Sequence, residues 1–225
     1  MRENSLLRRK RRFQSSQALA LFDFDGTITD DDMFRRFVYY ATSRPRIAVG
    51  TAMLAPRLLG HRLGLISNKQ MRRAVVQTVY RGRERQELEA IGERYAAEVI
   101  PQTVRPWAQE RLNWHKSRGD EIVVVSASLS LYLAPWCRAQ GYQLLCSHLA
   151  SRGQYMTGKH QGEDCAGSEK RRLVEKNFDL ATFSDVYAYG DTHEDKQLLS
   201  LASRRFYRGV ELRAGEVPQW RTSVA

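Results

Sequence analysis

Cysteine is scarce and poorly placed for structural chemistry. The chain has three, Cys137, Cys146 and Cys165, and no two form a CxxC pair. That spacing argues against a disulfide framework and a zinc site, and it fits a reducing cytoplasm. Long hydrophobic runs are also lacking. The most lipid-like stretch, residues 47–66, is interrupted by Arg57, His61 and Arg62 and would be kinked at Pro56. A membrane-spanning helix is therefore not expected, although a helix lying against a membrane or against the protein's own core stays open. No uninterrupted apolar region precedes a small-residue cleavage site near the N-terminus, so no secretory signal is expected and a cytoplasmic location is. Internal repeats and low-complexity linkers are absent.

What is present describes a globular protein. The 225 residues, 42% of them hydrophobic, suffice for one core with a modest inserted subdomain. The formal charge is +11. Part of the excess sits in the run Arg8, Arg9, Lys10, Arg11, Arg12, which reads as a solvated tail over residues 1–17 and would suit peripheral contact with an anionic membrane. Nucleic acid is not an expected partner, and nothing in the sequence sets an oligomeric state.

Four short apolar runs read as strands buried on both faces of a parallel sheet: residues 18–24, 122–125, 142–146 and 186–189. Phe206 and Tyr207 mark a fifth. Helix-like stretches at 130–139 and 168–176 alternate with them, which predicts a doubly wound, Rossmann-like α/β sheet. Nearly a hundred residues separate the first two strands, far more than one crossover needs. Apolar residues at three-to-four spacing (Met33, Phe34, Phe37; Met71, Val75, Val79; Leu88, Ile91, Tyr95) predict that this insertion is helical. The expected layout is a helical cap over 31–100 and an α/β core made of 18–30 and 101–225, with Pro101 and Pro106 closing the cap and a helix over 103–116 returning to the sheet.

Three of those runs end in residues with oxygen or phosphate chemistry, and open α/β sheets bind ligands at that carboxyl edge. Asp23-Phe24-Asp25-Gly26-Thr27 places two carboxylates on one side of a strand end. Such a pair needs a cation or a shared proton, and a hard cation such as Mg²⁺ suits oxygen donors. One aspartate can then attack phosphorus while the other handles the proton. Ser126 follows a buried run, where a hydroxyl and the amides entering the next helix suit a phosphate oxygen or simply an N-cap. Lys170 opens a helix and could neutralise both phosphate and Asp23, with Lys159 as its competitor. Asp191 and Asp195, after Gly190, supply further oxygen ligands. His193 beside them is assigned no ligand role.

With these four segments in order, the sequence resembles the haloacid dehalogenase superfamily, and within it the phosphoserine-phosphatase-like hydrolases with a helical cap after the first motif. DFDGT, VVVSAS, the lysine of GSEK and GDTHED stand as the four motifs, and the similarity covers about residues 18–207. The resemblance implies that Asp23 forms an aspartyl-phosphate intermediate and that Asp25 acts as general acid and then base. It implies Mg²⁺ held by Asp23, the carbonyl of Asp25 and Asp191, with Asp195 supporting the metal shell. Ser126 and Lys170 would hold the transferring phosphoryl group, and Thr27, Asp32, Ser128 and one of Arg72 or Arg73 would contact substrate. Glu194 stands where a phosphoserine phosphatase carries asparagine, so it is expected to point away from phosphate.

The expected activity is Mg²⁺-dependent hydrolysis of a small phosphorylated metabolite, a phosphoric monoester. A phosphotransferase or mutase is the enzymatic alternative. The segment Asp31–Phe34 and the apolar stretch from Ile47 also resemble phosphatidylglycerophosphatase C, a lipid-phosphate member of the superfamily. A non-catalytic protein binding nucleic acid or a membrane is the reading from another class. Four carboxylates near one edge weigh against it, because they repel polyanions unless metal is bound.

Overall fold

A four-residue apolar strand, Leu19–Phe22 (β1), runs through the centre of the molecule and is buried along its whole length. The computed structural model describes residues 17–220. The arginine run 8–12 lies outside the described residues. Side chains along β1 alternate between two apolar layers: Ala20 and Phe22 face one, Leu19 and Leu21 the other. The next strand, Glu121–Leu129 (β2), divides likewise, Val124 joining the first layer and Val123 and Val125 the second. This is the double burial that an unbroken apolar run predicts.

The remaining strands of this sheet are Gln143–Ser147 (β3), Val186–Gly190 (β6), Arg204–Tyr207 (β7) and Val210–Glu211 (β8). Their order is β3-β2-β1-β6-β7-β8, parallel except for the final pair. From β1 the chain builds outward to β3 on one side, then returns to β6 on the other. The crossover beside β1 is the switch point of a doubly wound α/β sheet, where its carboxyl edge opens a crevice. Helices cover both faces. Ser130–Gln140 (α6) packs Tyr132 and Trp136 into the first layer, and Ser168–Asn177 (α7) and Lys196–Leu199 (α8) bring Val174, Leu198 and Leu199 to the second.

Between β1 and β2 stand Met33–Tyr40 (α1), Arg44–Arg62 (α2), Asn68–Tyr80 (α3), Arg85–Glu98 (α4) and Pro106–Ser117 (α5). Local signals fix their starts. Asp32 caps α1 by accepting from the Arg35 amide at 2.9 Å, and Ser67 with Gln70 forms a reciprocal capping box on α3. Gly92 lets α4 meet α6, since a Cβ there would overlap the Leu131 carbonyl. Pro106 opens α5. It occupies the first helical turn, where its missing N–H leaves nothing unpaired.

A hairpin that the sequence pattern does not announce, Leu149–Arg152 (β4) with Tyr155–His160 (β5), lies in the stretch expected to be core. It pairs with the turn after α3 through Met156 N–H to Arg83 O (2.8 Å) and Gly82 N–H to Met156 O (2.9 Å). The helical insertion therefore carries a piece of chain from beyond β3. All three cysteines are free and buried. Among the described residues no helix is long and apolar enough to cross a membrane.

One buried polar network ties α5 to the sheet. His115 is fully buried, with Nδ1 2.8 Å from Asp120 Oδ2 and Nε2 2.8 Å from the Tyr189 hydroxyl. Arg111 donates to that hydroxyl at 3.0 and 3.1 Å, so its single proton goes to His115 Nε2, and Nδ1–H donates to Asp120. Burial lowers the His115 pKa to about 4, against the pull of Asp120. Its folded pKa lies below its unfolded value, so its contribution to stability is complete above about pH 6.5 and fades as pH falls toward 4. Urea unfolding at pH 7 and pH 4.5 should show His115→Gln less stable than wild type at pH 7. The variant should then lose less on acidification than wild type does.

Candidate active site

The carboxyl ends of β1, β2 and β6 and the first turn of α7 meet at one place. Asp23 extends β1 by one residue in extended conformation, and its amide donates to Tyr189 O at 3.0 Å, which fixes it at the mouth of the crevice. Lys170, on the first turn of α7, is only 2% exposed. It donates to Asp23 Oδ1 and to Asp195 Oδ1, each at 2.6 Å. Asp195 is held from its other side, where Oδ2 accepts from the amides of Asp191 and Thr192 at 3.0 Å each. Thr27 donates to Asp191 Oδ1 at 3.1 Å, so the first motif and the last are joined directly.

Gly26 makes that junction possible. Its φ of 82° is left-handed, and a Cβ would overlap the Asp191 carboxylate. Arg105, whose role the sequence did not signal, pins the same loop by donating from Nε to Gly26 O (3.0 Å) and Thr29 O (3.1 Å).

Asp23, Asp191 and Asp195 each offer a carboxylate oxygen, all within 4.8 Å of one another. One ammonium among three carboxylates leaves a buried excess of negative charge. Burial first, then the Asp195 charge, raises the Asp23 pKa well above its ordinary value against the pull of Lys170. The same two causes bring Asp191 to about 6. Burial opposes the Lys170 charge, but Asp195 and Asp23 outweigh it and hold its pKa well above the usual lysine value. A hard divalent cation with oxygen ligands fits such a donor set and would relieve the repulsion.

Asp25 turns to a separate cradle. Its Oδ1 accepts from the Met33 amide at 2.7 Å, and Oδ2 accepts from Ser128 Oγ at 2.6 Å and Ser126 Oγ at 3.3 Å. Behind Ser128, the buried Tyr132 hydroxyl donates to its Oγ at 2.6 Å. Burial, followed by the Asp32 charge, raises the Asp25 carboxyl to about 6. Ser126 is not the N-cap of α6, a place that Leu129 takes. It lies within β2, which continues to Leu129 before α6 begins, and its Oγ accepts from the Ser128 amide at 3.0 Å.

The residues expected to touch substrate are less united. Asp32 faces its own helix as the α1 cap. Arg72 is clamped by Asp164 at 2.9 Å and Glu194 at 3.3 Å. Arg73 sits outside, paired with Glu163 at 3.0 Å. Glu194 points to the cap, accepting from Asn68 at 3.0 Å as well as from Arg72. The fully buried Asp164, also held by Ser147 at 3.0 Å, had no signal in the sequence, because its partners come from distant segments. Lys159 is not part of this constellation.

Lys170→Met would leave Asp23 and Asp195 facing each other with no cation between them. Without divalent metal the variant should lose about 3–5 kcal/mol of stability by urea unfolding. Added Mg²⁺ should restore more stability to the variant than it adds to wild type.

Among relatives, protein CicA of Caulobacter vibrioides (strain NA1000 / CB15N) is 29% identical over 193 residues, covering 84% of this chain and 85% of that protein. A Bordetella pertussis Tohama I protein of unknown function superposes with a TM-score of 0.68 at 24% identity, over 85% of this chain and 89% of that one. A substrate-bound phosphoserine phosphatase superposes with a TM-score of 0.61 at 19% identity, over 85% of each chain. Both superpositions speak to the fold alone. The sequence profile of the haloacid dehalogenase-like hydrolases matches residues 20–200. With its four chemical segments gathered at one sheet edge, this chain belongs to the haloacid dehalogenase-like hydrolase family.

Proposed function

We propose that the protein is a Mg²⁺-dependent phosphatase that hydrolyses a small phosphorylated metabolite through a covalent phosphoryl-enzyme intermediate on Asp23. The observation that carries this reading is the division of labour at the sheet edge. Asp23 sits beside Lys170 and two further carboxylates, whereas Asp25 lies in its own serine cradle.

Asp23 and Asp191, with the carbonyl of Asp25, would hold the metal, and Asp195 would brace the lysine and the Asp191 loop. Bound Mg²⁺ supplies positive charge that offsets the phosphate and the carboxylates together. The chain's own groups do the rest. The Asp23 carboxylate attacks phosphorus, and the bond from phosphorus to the leaving oxygen breaks as Asp25 gives that oxygen its proton. Asp25 then takes a proton from water, whose oxygen attacks phosphorus. The bond to Asp23 breaks, releasing phosphate and regenerating the carboxylate. A carboxyl held at about 6 by burial suits both halves, since near neutral pH it can carry a proton and give it up. Lys170 keeps Asp23 from repelling the incoming anion.

Phosphoserine fits poorly as substrate. A free guanidinium would be needed to read its carboxylate, yet Arg72 is already bound by Asp164 and Glu194. Transfer to an alcohol in place of water would use the same first half, and product analysis with added glycerol separates the two outcomes.

Turnover of p-nitrophenyl phosphate should require Mg²⁺, and Asp23→Asn should lower it by about a thousandfold or more. Full activity in that variant would refute the assignment of the nucleophile. Asp25→Asn should behave differently with this ester, whose leaving group needs no proton. The first turnover should survive as a burst, while steady-state turnover falls by about 10²–10⁴.

A further inference from the structure

Helix α2 has two apolar faces, and the protein uses only one. Ile47, Gly50, Leu54, Leu58 and His61 follow the three-to-four spacing of one stripe, which turns inward. Leu54 is 5% exposed in a small cluster with Met71 and Ala74 of α3, and Leu58 packs at its edge. Val49, Ala52, Pro56, Leu59 and Leu63 keep the same spacing half a turn away, and all five are exposed. Val49 is 61%, Leu59 59% and Leu63 65% open to solvent, with Met53 (66%) beside them and Leu65 (77%) just beyond the helix end. A soluble helix normally carries charged or polar residues on the face opposite its core stripe. This one carries a second row of hydrocarbon.

The charges are on the flanks. At 3.6 residues per turn, Arg44 and Arg62 fall on one side of the outward stripe, and Arg46 and Arg57 on the other. Among the described residues none of the four forms an ion pair. Over residues 33–83 the sequence holds no aspartate or glutamate. The outward face is therefore apolar along its middle, cationic along both margins and free of negative charge.

We propose that α2 is a membrane-docking helix, which lies flat in the headgroup layer of a bilayer containing anionic lipids. In that position the outward stripe enters the acyl boundary by about 5–10 Å, while the stems of Arg44, Arg57 and Arg62 run along it and their guanidinium groups stay at phosphate level. Arg46 instead donates to the Arg81 carbonyl at 3.0 Å. The charge pattern selects this occupant over others. A second copy packed on the same face about a two-fold axis would bring arginine margins against arginine margins. A nucleic acid would pair with the margins but leave the apolar stripe without a partner. A bilayer rich in anionic headgroups satisfies both parts at once. The inference is independent of the chemistry proposed for the active site.

The test is flotation of the full-length chain with vesicles of phosphatidylcholine alone and of phosphatidylcholine with phosphatidylglycerol, at physiological salt. Wild type should float with the anionic vesicles. Val49→Asp/Leu59→Asp should bind about tenfold more weakly or less, keeping its p-nitrophenyl phosphate turnover and thermal midpoint because both positions are exposed. A second variant, with Arg8, Arg9, Arg11 and Arg12 changed to Gln, separates the contribution of the N-terminal run, and it should still float. Wild type that stays in solution, or that floats equally well with the two aspartates, overturns the proposal. So does loss of flotation in the N-terminal variant alone. A wild-type dimer that the two aspartates dissolve would make a second copy the occupant, and overturns it too.

Discussion

A buried ammonium between two carboxylates organises this molecule. Lys170 has almost no contact with solvent, and its charge is maintained only because Asp23 and Asp195 each sit 2.6 Å away. Taking any one of these ions out of water alone would cost several kcal/mol, so the three are stable only together. They come from β1, from the first turn of α7 and from the loop after β6. Their meeting therefore requires the sheet order, the switch point beside β1 and the close approach at Gly26 to be in place first. The surplus of negative charge that remains, with Asp191 added, forms a set of oxygen donors that suits a hard cation.

The cap reaches the site by a second set of ions. Arg72 of α3 links Asp164 to Glu194 of the loop that also carries Asp191 and Asp195. Asn68 adds a hydrogen bond to the same glutamate. One guanidinium thereby ties the helical insertion to the core beside the acidic cluster. Its geometry depends on the planar, forked donor set that lysine lacks. Within the same cap, α2 contributes a single stripe to α3 and leaves the other to solvent.

Much of the core was legible because strand burial and strand-end chemistry follow local rules. An unbroken apolar run means two covered faces, and Asp23, Gly190 and Asp191 stand where such runs stop. Lys170 was legible only through the order of the motifs, since nothing nearby distinguishes it from Lys159. Other features depend on contacts between distant segments. Asp164 reads as a surface acid until Ser147 and Arg72 are brought to it, and Tyr132 reads as ordinary core until Ser128 and Asp25 are placed before it. Ser126 suggested an N-cap because the length of β2 could not be read past the serines. The β4–β5 hairpin escaped notice because its strands are short and half exposed, giving weak alternation. Its partner, the turn after α3, is far away in sequence.

The central claim is that Asp23 and Asp191 share one divalent ion beside Lys170, and a crystal structure of the protein soaked in Mn²⁺ tests it most directly. An anomalous peak within coordination distance of one oxygen of each aspartate, with Lys170 still on Asp23, is the predicted result. A Mn²⁺ ion bound elsewhere, or Lys170 displaced from Asp23 with no metal between the carboxylates, would contradict the account.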